Sequence, residues 1–528
     1  MTEDASFRRA VRWLAAGVWL VYALFSVGNL SPDPFARFEV AENLLRHGSI
    51  ALSGSHDLSV EHEGACYSVF FPGQTITFLP PAAMGVWIGD ACGADEELVA
   101  HAARFVACTV VMTAFAALAV AGHILLVRRL GVKPGLSLLS GLLVAFGTPF
   151  LTWGCHASEE VTLGALAVWA VWAVLEARHV ADETDAGPAD DARAECARRF
   201  VNRLGLAGVL LAGGMIHRST FIAVVAGVAV IALPLLWRHR ALLAAAWGRF
   251  AGWSFAAAAI VTLVPLYNWL RFDDPLDTGY AAFYEPVGGV FDNPLLPGLV
   301  GHLFSPGKSV FLYAPWLILL PVALVHRGVR RRLGLLTWGL LLIFAVHLVI
   351  YSMHTYWAGA FGWAVRFHVS LMPLALAPIA LWLDGLRLRR AARAGIGALA
   401  AASIAIQIAG IALNNGLEHF QHPENYTGPD GLIPADAAWT WRGSQLRLRF
   451  VNIAGKLRGE ALLDVDENDE ERILTVWNLF PIRAEAALDD RPITRGAWAL
   501  WIALLALALL SAHRAWRAWR ALSARGAP

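Results

Sequence analysis

An acidic side chain stands where the first long apolar run of the chain ends. Asp33 follows the apolar run 12–30, which is long enough to cross a bilayer. A carboxylate at the depth of lipid headgroups is partly desolvated and could act as a general base for a hydroxyl group. Pro34 suits the first turn of a helix and Gly48 its end, so Asp33 could instead cap this helix. On composition alone, the cap is the simpler interpretation.

Three basic side chains lie near the ends of later apolar runs and could hold a phosphate group. Lys308 either binds a phosphate or snorkels to the interface, and the lack of another Lys or Arg in 292–325 favours the phosphate. Arg271 is more simply a marker of the membrane boundary. Arg366 begins an apolar run, where inserting an arginine costs about 2.5–3.5 kcal/mol, so it should face a cavity or a partner.

A polar segment between two apolar runs is a candidate for metal binding. His156, Glu159 and Glu160 could join Asp33 around a divalent cation, either Mg²⁺ or Mn²⁺, since these ions prefer hard oxygen ligands. In the alternative, Ser158 caps a helix and both acids lie in its first turn, where the helix dipole favours them. The helix start is the favoured interpretation.

The composition indicates a membrane protein. Of the 528 residues, 57% are hydrophobic and only 16% are charged, and the mean hydropathy is +0.53. Soluble domains have roughly 45–50% apolar and 25% charged residues, so the composition excludes a disordered chain and a coiled coil and argues against two ordinary soluble domains. The net charge of +1 argues against a nucleic-acid binder, which needs a basic excess to hold phosphates.

Apolar runs of about 20 residues predict about twelve membrane-spanning helices. The predicted spans are 12–30, 100–127, 135–153, 161–177, 204–216, 219–236, 250–270, 311–325, 335–351, 369–383, 396–414 and 497–512. The fifth and sixth form a hairpin with short arms. His217 and Arg218 at its tip either form the turn or contribute to an active site.

Clusters of basic residues predict the orientation of the spans. They lie at alternate span ends, near 8–12, 128–133, 238–249, 327–332, 387–393 and 514–520. Because short basic loops stay in the cytoplasm, both termini are predicted there. The long outer loops are then 31–98, 271–310, 352–368 and 415–496, so chemistry is expected on the outer side. Of the inner loops only 178–203 is long, and its charges predict a solvated linker.

Two outer loops carry further predictions. Cys66 and Cys92 share the first outer loop, where a disulfide bridge and two free thiols are both open alternatives. No Cys and His spacing typical of a zinc site is present. In the last outer loop, the alternation over 445–451 predicts a strand, and the acidic run 464–471 predicts a solvated turn.

Several motifs follow one another along residues 10–385. They are Asp33 with Arg37-Phe38, Tyr67–Gln74 followed by Pro80-Pro81, His217-Arg218-Ser219-Thr220, Asn268–Phe272 with Thr278-Gly279-Tyr280, Ser305–Lys308, and Trp357-Ala358-Gly359 with Gly362-Trp363 and Arg366. In this order they resemble the GT-C-type membrane glycosyltransferases, which include protein O-mannosyltransferases and lipid A aminoarabinose transferases. The first loop of that family starts with two adjacent acids. Here Pro34 replaces the second acid, and Glu39 is near enough to substitute for it.

The resemblance implies an all-α polytopic membrane fold of about 12 transmembrane helices, similar to GT-C enzymes. Interfacial helices are expected in the first outer loop, and a small extracytoplasmic segment near the C terminus. We expect two parts: a catalytic transmembrane module over 1–385, which includes the outer loop 31–98, and C-terminal helices over 386–528 with the loop 415–496.

The resemblance also implies an enzyme of a bacterial inner membrane that acts on the extracytoplasmic side. It would transfer a sugar from a polyprenyl phosphate to a lipid, glycan or protein acceptor, with inversion at the anomeric carbon and without an essential metal ion. Asp33 would be the general base, with Glu39 as a second acid. The residues expected to bind the donor are Lys308, Arg366, Arg218, Arg271 and Tyr280.

A secondary transporter or lipid flippase is the alternative function, since about twelve spans is a common number for transporters. Transporters usually consist of two related halves, and the order of spans and loops here has no such symmetry. An inactive relative that acts as a scaffold is a third alternative, because the second acid is missing.

Overall fold

The computed structural model describes residues 3–54, 57–93, 95–185, 190–387, 389–428, 431, 433–463, 472–487 and 491–523. Within them the chain is mostly helical, and nine helical segments are long and apolar enough to cross a membrane. These are Glu96–Arg129, Glu159–Asp185, Arg193–His217, Ser219–Arg238, Trp247–Phe272, Leu336–Met353, Arg366–Asp384, Arg390–Ala412 and Pro492–Leu522. The chain is therefore an integral membrane protein, as its composition predicts.

The N-terminal part contains a β-hairpin among its helices. Its elements are α1 (Glu3–Leu24), α2 (Pro32–His47), β1 (Ser59–His62), β2 (Ala65–Ser68), α3 (Pro72–Cys92), α4 (Glu96–Val106) and α5 (Thr113–Arg129), with a π-helical turn at Ala107–Met112. Gly48 ends α2 in the left-handed conformation, with φ of 66°, which confirms the predicted helix end. The antiparallel hairpin departs from the all-α prediction. Cys66 and Cys92 are both free thiols.

The middle of the chain contains helices that extend beyond the apolar runs. They are α6 (Pro134–Phe146), α7 (Phe150–Cys155), α8 (Glu159–Asp185), α9 (Asp190–His217), α10 (Ile222–Arg238), α11 (Arg240–Ala245), α12 (Trp247–Val261) and α13 (Leu263–Phe272), with a 3-10 turn at Ser219–Phe221. Helices α8 and α9 occupy most of 178–203, so the prediction of a linker there is wrong. Its charges form ion pairs that stabilise the helices, such as Arg198 with Glu195 at 3.2 Å and Arg199 with Glu183 at 3.7 Å.

Mostly shorter elements follow, up to the helix that comes directly after the turn with the last predicted site residue. They are α14 (Tyr280–Tyr284), α15 (Leu295–Phe304), α16 (Val310–Tyr313), α17 (Leu320–Val325), α18 (Arg327–Leu333), α19 (Leu336–Met353) and α20 (Met372–Asp384). Three 3-10 turns lie between them, at Glu285–Val287, Pro315–Leu319 and Arg366–Leu371. The last of these turns leads directly into α20, so that Arg366 stands at the entrance to this helix.

Three predicted spans are not among the nine long apolar segments of the described chain. The predicted span 12–30 corresponds to α1, which carries Arg8, Arg9 and Arg12 in its first half. The predicted span 135–153 is divided between α6 and α7, because the helix ends at Gly147. The predicted span 311–325 consists of α16, a 3-10 turn and α17, each too short to cross a bilayer alone.

The C-terminal part contains one long helix at each end. Its elements are α21 (Arg390–Ala412), α22 (Leu417–Gln421), β3 (Tyr426–Thr427), β4 (Ile433–Pro434), α23 (Asp436–Trp439), α24 (Gln445–Leu457), α25 (Arg472–Thr475), α26 (Phe480–Ala487) and α27 (Arg491–Ser523), with a 3-10 turn at Pro423–Asn425. The predicted strand over 445–451 is wrong, because the segment belongs to α24. Ser444 caps this helix by accepting a hydrogen bond from the Arg447 N–H at 3.2 Å. The acidic run 464–471 lies outside the described residues.

Helices α1 and α27 pack along each other, although they are distant in sequence. Leu20, Leu24 and Ala508 form a buried apolar cluster between them. The Trp501 indole Nε1 donates a hydrogen bond to the Leu24 carbonyl oxygen at 3.0 Å. The expected C-terminal part therefore packs directly on the first helix of the expected catalytic module.

Candidate functional site

Asp33 and Arg366 form an ion pair, although 333 residues separate them. Arg366 Nη1 donates to Asp33 Oδ2 at 3.0 Å, and the two side chains are 27% and 24% exposed. The prediction that Arg366 faces a partner is confirmed. The cap position of α2 is occupied by Ser31, so the Asp33 carboxylate serves the ion pair rather than the helix end. The pair is accessible enough for a substrate to reach it.

Arg37 lies on the same face of α2 as Asp33, one turn further on. Its side chain is buried, with Nη1 donating to Gln74 Oε1 at 2.7 Å and Nη2 lying 3.1 Å from Glu159 Oε1. The guanidinium stacks over the Phe70 ring, 3.7 Å from its centre. Arg37 is therefore a fixed positive charge one turn from Asp33.

A second arginine, which is half-buried, extends this network. Arg218 pairs with Glu159, and its Nη1 lies 3.0 Å from Glu160 Oε1. The guanidinium groups of Arg218 and Arg366 share one aromatic neighbour, since they lie 5.7 and 5.3 Å from the centre of the Phe367 ring. Together with Arg37 and Asp33, these side chains form a cluster of three arginines and three carboxylates whose formal charges cancel. We call it the charge cluster.

Close packing of α3 against the end of α9 positions the charge cluster. A Cβ atom on Gly73 would lie 2.7 Å from the His217 Cα, so only glycine allows this approach. Directly after His217 the chain becomes extended, with φ of −158° and ψ of 129° at Arg218. Tyr351, near the end of α19, then accepts a hydrogen bond from Arg218 Nη1 at 3.3 Å. Helices α3, α9 and α19 thus fix the position of Arg218.

Lys308 holds the backbone segment that leads to Arg366. Its Nζ donates to three carbonyl oxygens, those of Ala360, Gly362 and Ala364, at 3.2, 2.6 and 3.4 Å. Ala360 and Ala364 have φ values of 55° and 58°, in the left-handed region that side chains other than glycine rarely adopt. All three donors of a lysine ammonium are thereby engaged. Lys308 positions Arg366 instead of reaching the ion pair itself.

The pH dependence of stability is expected to report on Lys308. Burial lowers the pKa of Lys308 from 10.5 to about 7. Between these values the folded protein binds fewer protons here than the unfolded chain does, so the free energy of unfolding rises with pH. Relative to Lys308→Met, the free energy of unfolding of the wild type should rise by about 1.4 kcal/mol per pH unit above pH 7. Denaturation in detergent at several pH values measures this difference, and a pH-independent difference would contradict it.

Tyr280, at the start of α14, borders the charge cluster. Its ring stacks on Tyr284 with the ring centres 6.0 Å apart, and it lies 6.1 Å from the Phe71 ring. Burial raises the pKa of Tyr280 to about 12, and the charges of Arg218 and Glu159 also act on the hydroxyl. The hydroxyl is therefore protonated at neutral pH and is available as a hydrogen-bond donor.

The structure does not bring Glu39 and Arg271 to the ion pair. Glu39 lies six residues after Asp33 on α2, so the two side chains are about 120° apart around the helix. Its Oε1 accepts a hydrogen bond from the Ser53 N–H at 2.7 Å. The buried Arg271 donates to the Ser68 carbonyl oxygen and thereby fastens β2 to α13. Both side chains support the shape of the first outer loop.

The predicted metal ligands His156, Glu159 and Glu160 do not converge on one point. Both glutamates are paired with the arginines of the charge cluster, whereas His156 Nε2 lies 3.4 Å from Asn478 Nδ2. Among the residues that the structure describes, one group of three side chains has ligand atoms close enough for a metal ion, namely His62, Glu63 and Asp273. This group is largely exposed and lies apart from the predicted ligands.

An apolar cavity lies between α1, α6, α7 and α21. Its volume is about 380 Å³, and its lining includes Phe25, Phe146, Ile404, Ile408, Ile411 and Trp477. Asn478, which contacts His156, also lines this cavity. A cavity of this size and character suits a stretch of hydrocarbon chain.

Several partners in the charge cluster were not predicted from the sequence. Arg37 and Gln74 had no predicted role, although the four-residue spacing from Asp33 places Arg37 on the same helix face. The pairing of Glu159 with Arg218 spans 59 residues and has no local signal. It therefore needed the packing of the helices to become visible.

Comparison with known proteins finds similarity in fold. No protein-family model matches the sequence, and no curated protein sequence matches it. One similar structure is ArnT from Cupriavidus metallidurans bound to undecaprenyl phosphate, with 13% identity, a TM-score of 0.46, and coverage of 96% of this chain and 76% of that chain. Another is the oligosaccharyltransferase AglB from Archaeoglobus fulgidus in complex with an inhibitory peptide and a dolichol-phosphate, with 12% identity, a TM-score of 0.43, and coverage of 79% and 58%. These similarities concern the fold alone.

Proposed function

We propose that the chain is a membrane glycosyltransferase that moves a sugar from a polyprenyl-phosphate donor to an acceptor hydroxyl. The observation that carries the proposal is the accessible ion pair between Asp33 and Arg366, which forms one edge of the charge cluster. A base and a phosphate-binding cation are the two groups that such a transfer needs at one place. The order of sequence motifs that resembles GT-C enzymes supports the same reaction.

The reaction follows from the positions of these groups. The acceptor hydroxyl gives its proton to the Asp33 carboxylate while its oxygen attacks the anomeric carbon of the sugar. The bond between that carbon and the phosphate oxygen breaks on the opposite side, which inverts the anomeric centre. The polyprenyl phosphate leaves with the electron pair, and Arg366 and Arg218 stabilise its negative charge. Tyr280 donates a further hydrogen bond to the donor.

The balance of charges explains how donor binding activates the base. Without a donor, Arg366 is paired with Asp33 at 3.0 Å. A donor phosphate brings negative charge and competes for the same guanidinium, whose Nε has no hydrogen-bond partner among the described residues. Once Arg366 turns to the phosphate, the Asp33 carboxylate is free to accept a proton. Donor binding thereby prepares the base for the acceptor.

The location of the reaction is part of the proposal. The clusters of Arg and Lys predict that α2 and the segment before Arg366 lie on the extracytoplasmic side. The resemblance to GT-C enzymes implies that the membrane is a bacterial inner membrane. The acceptor is then a lipid, a glycan or a protein outside the cytoplasm. The apolar cavity beside α1 offers a place for part of a hydrocarbon chain.

Release of the lipid carrier tests the proposal. Purified protein is incubated with a panel of radiolabelled polyprenyl-phosphate sugars, and free polyprenyl phosphate is measured. Arg366→Gln should lower turnover about a hundredfold, because the leaving phosphate loses a preorganised cation. The matched control is Arg442→Gln, which removes an exposed arginine from the last outer loop and should leave turnover unchanged. Equal turnover in wild type and Arg366→Gln would overturn the role of Arg366.

A further inference from the structure

A basic pocket lies at the end of α19 that is remote from the charge cluster. Tyr351, which contacts Arg218, is near the C-terminal end of this 18-residue helix. The pocket is at the N-terminal end, where Thr337 lies about 21 Å from Tyr351 by the rise of an α-helix. It has a volume of about 400 Å³ and is lined by Arg327, Arg330, Arg331, Gly334, Thr337 and Trp338. It is therefore separate from the proposed reaction.

The three arginines of this pocket are unpaired cations. Arg327, Arg330 and Arg331 are exposed on α18, and none of their side chains pairs with a carboxylate in the part of the chain that the structure describes. Their neighbour Arg332 differs, because it pairs with Asp384 at 3.1 Å. Three free guanidinium groups around one pocket provide donors in the geometry that suits phosphate oxygens.

A buried hydroxyl in the pocket wall lacks a partner. Thr337 is only 2% exposed, and its Oγ1 has no hydrogen-bond partner among the described residues. Buried hydroxyl groups nearly always have a partner, and a ligand oxygen that enters this wall of the pocket would supply one. An oxygen that also contacts the arginines would satisfy the hydroxyl.

The remaining wall residue indicates that the ligand has an apolar part. The Trp338 side chain is 62% exposed at the rim of the pocket. Tryptophan is typical of membrane interfaces, where its ring lies at the level of lipid headgroups. Inorganic phosphate would use the arginines and Thr337 but not Trp338, whereas a phospholipid would use all of them.

We propose that this pocket binds the phosphodiester headgroup of an anionic phospholipid. Arg330 and Arg331 contact the phosphate oxygens, and the Thr337 hydroxyl donates to one of them. Trp338 lies against the glycerol and the first acyl carbons. The bound lipid would fasten the N-terminal end of α19 to the surface of the bilayer, at the predicted cytoplasmic side.

Lipid binding is measured by native mass spectrometry of the full-length protein released from nanodiscs of phosphatidylcholine with a minor fraction of phosphatidylglycerol. The double variant Arg330→Gln/Arg331→Gln should bind phosphatidylglycerol about ten- to thirtyfold more weakly, given the usual contribution of a basic residue near an anionic headgroup. The matched control is Arg389→Gln/Arg390→Gln, which removes two exposed arginines at the start of α21 and should change binding less than about twofold.

Several results would overturn this site. One is unchanged phosphatidylglycerol binding in the double variant Arg330→Gln/Arg331→Gln, and another is an equal loss of binding in the control variant. A third is displacement of the lipid from the wild type by excess inorganic phosphate, because this would indicate a site for small anions. If the double variant fails to fold, Thr337→Val decides, because it removes only the hydroxyl and should still weaken lipid binding severalfold. The readout is binding, so its outcome is independent of the proposed transferase activity.

Discussion

Asp33→Asn is expected to lower kcat about a thousandfold while the protein stays folded. Asparagine keeps the size of the side chain and can still accept a hydrogen bond from Arg366, which lies 3.0 Å away in the wild type. It cannot take a proton from the acceptor hydroxyl, and general base catalysis commonly contributes 10²–10⁴-fold. Release of polyprenyl phosphate from a radiolabelled donor gives kcat, and donor binding measured separately should be retained or tighten, because the phosphate no longer competes with a carboxylate for Arg366.

The control for this variant lies on the same helix. Glu42, on the opposite face of α2, is also paired, with Arg46 Nε at 3.2 Å from its Oε1. Glu42→Gln should retain full turnover, because this pair does not touch the charge cluster. Wild-type turnover in Asp33→Asn would remove Asp33 from the mechanism. A drop in thermal stability that parallels the loss of activity would assign Asp33 a structural role instead.

Arg449→Met is expected to lower the free energy of unfolding by about 3–5 kcal/mol. Arg449 is fully buried, and its Nε and Nη2 lie 2.6 and 2.8 Å from the two carboxylate oxygens of Glu418. Its Nη1 also donates to the carbonyl oxygens of Ala409, Gly410 and Leu413 at the end of α21. The variant leaves a buried carboxylate and a helix end without their donor. Denaturation in detergent measures the loss.

Two further variants distinguish the effect of breaking the buried ion pair from the effect of removing any arginine. Arg458 and Glu460 are also 2.6 Å apart but are exposed, so Arg458→Met should leave the stability unchanged. Adding Glu418→Leu to Arg449→Met removes both charges and should recover part of the lost stability. If the exposed and buried variants lose equal stability, burial is not the cause.

Parts of the fold with a local signal were predictable from the sequence. The end of α2 was predicted because Gly48 follows an amphipathic helix, and glycine alone adopts φ of 66° without strain. The prediction of a strand over 445–451 was wrong because a short alternation of Leu and Arg is compatible with both a strand and a helix. In that segment Arg449 points into the core and pairs with Glu418. A pattern based on polarity instead predicts that this arginine faces solvent.

The candidate site was predictable residue by residue but not as an arrangement. Asp33 and Arg366 each stood out, because each is a charge at the edge of an apolar run. Their pairing across 333 residues depends on helix packing that no local pattern encodes. Lys308 stood out for the same reason, yet its partners are backbone carbonyl oxygens of a segment with unusual φ values. Backbone partners of this kind leave no residue type to recognise.

The contact between α1 and α27 has a consequence for biosynthesis. Trp501 and its acceptor Leu24 are 477 residues apart. At about 5–20 residues per second, a ribosome needs roughly 25 to 95 s to deliver the partner of the first helix. During that time Leu20 and Leu24 on α1 lack the partner side of their buried apolar cluster. The contact between α1 and α27 therefore forms late, after translation of the helices that lie between them in sequence, rather than between neighbouring helices as they emerge.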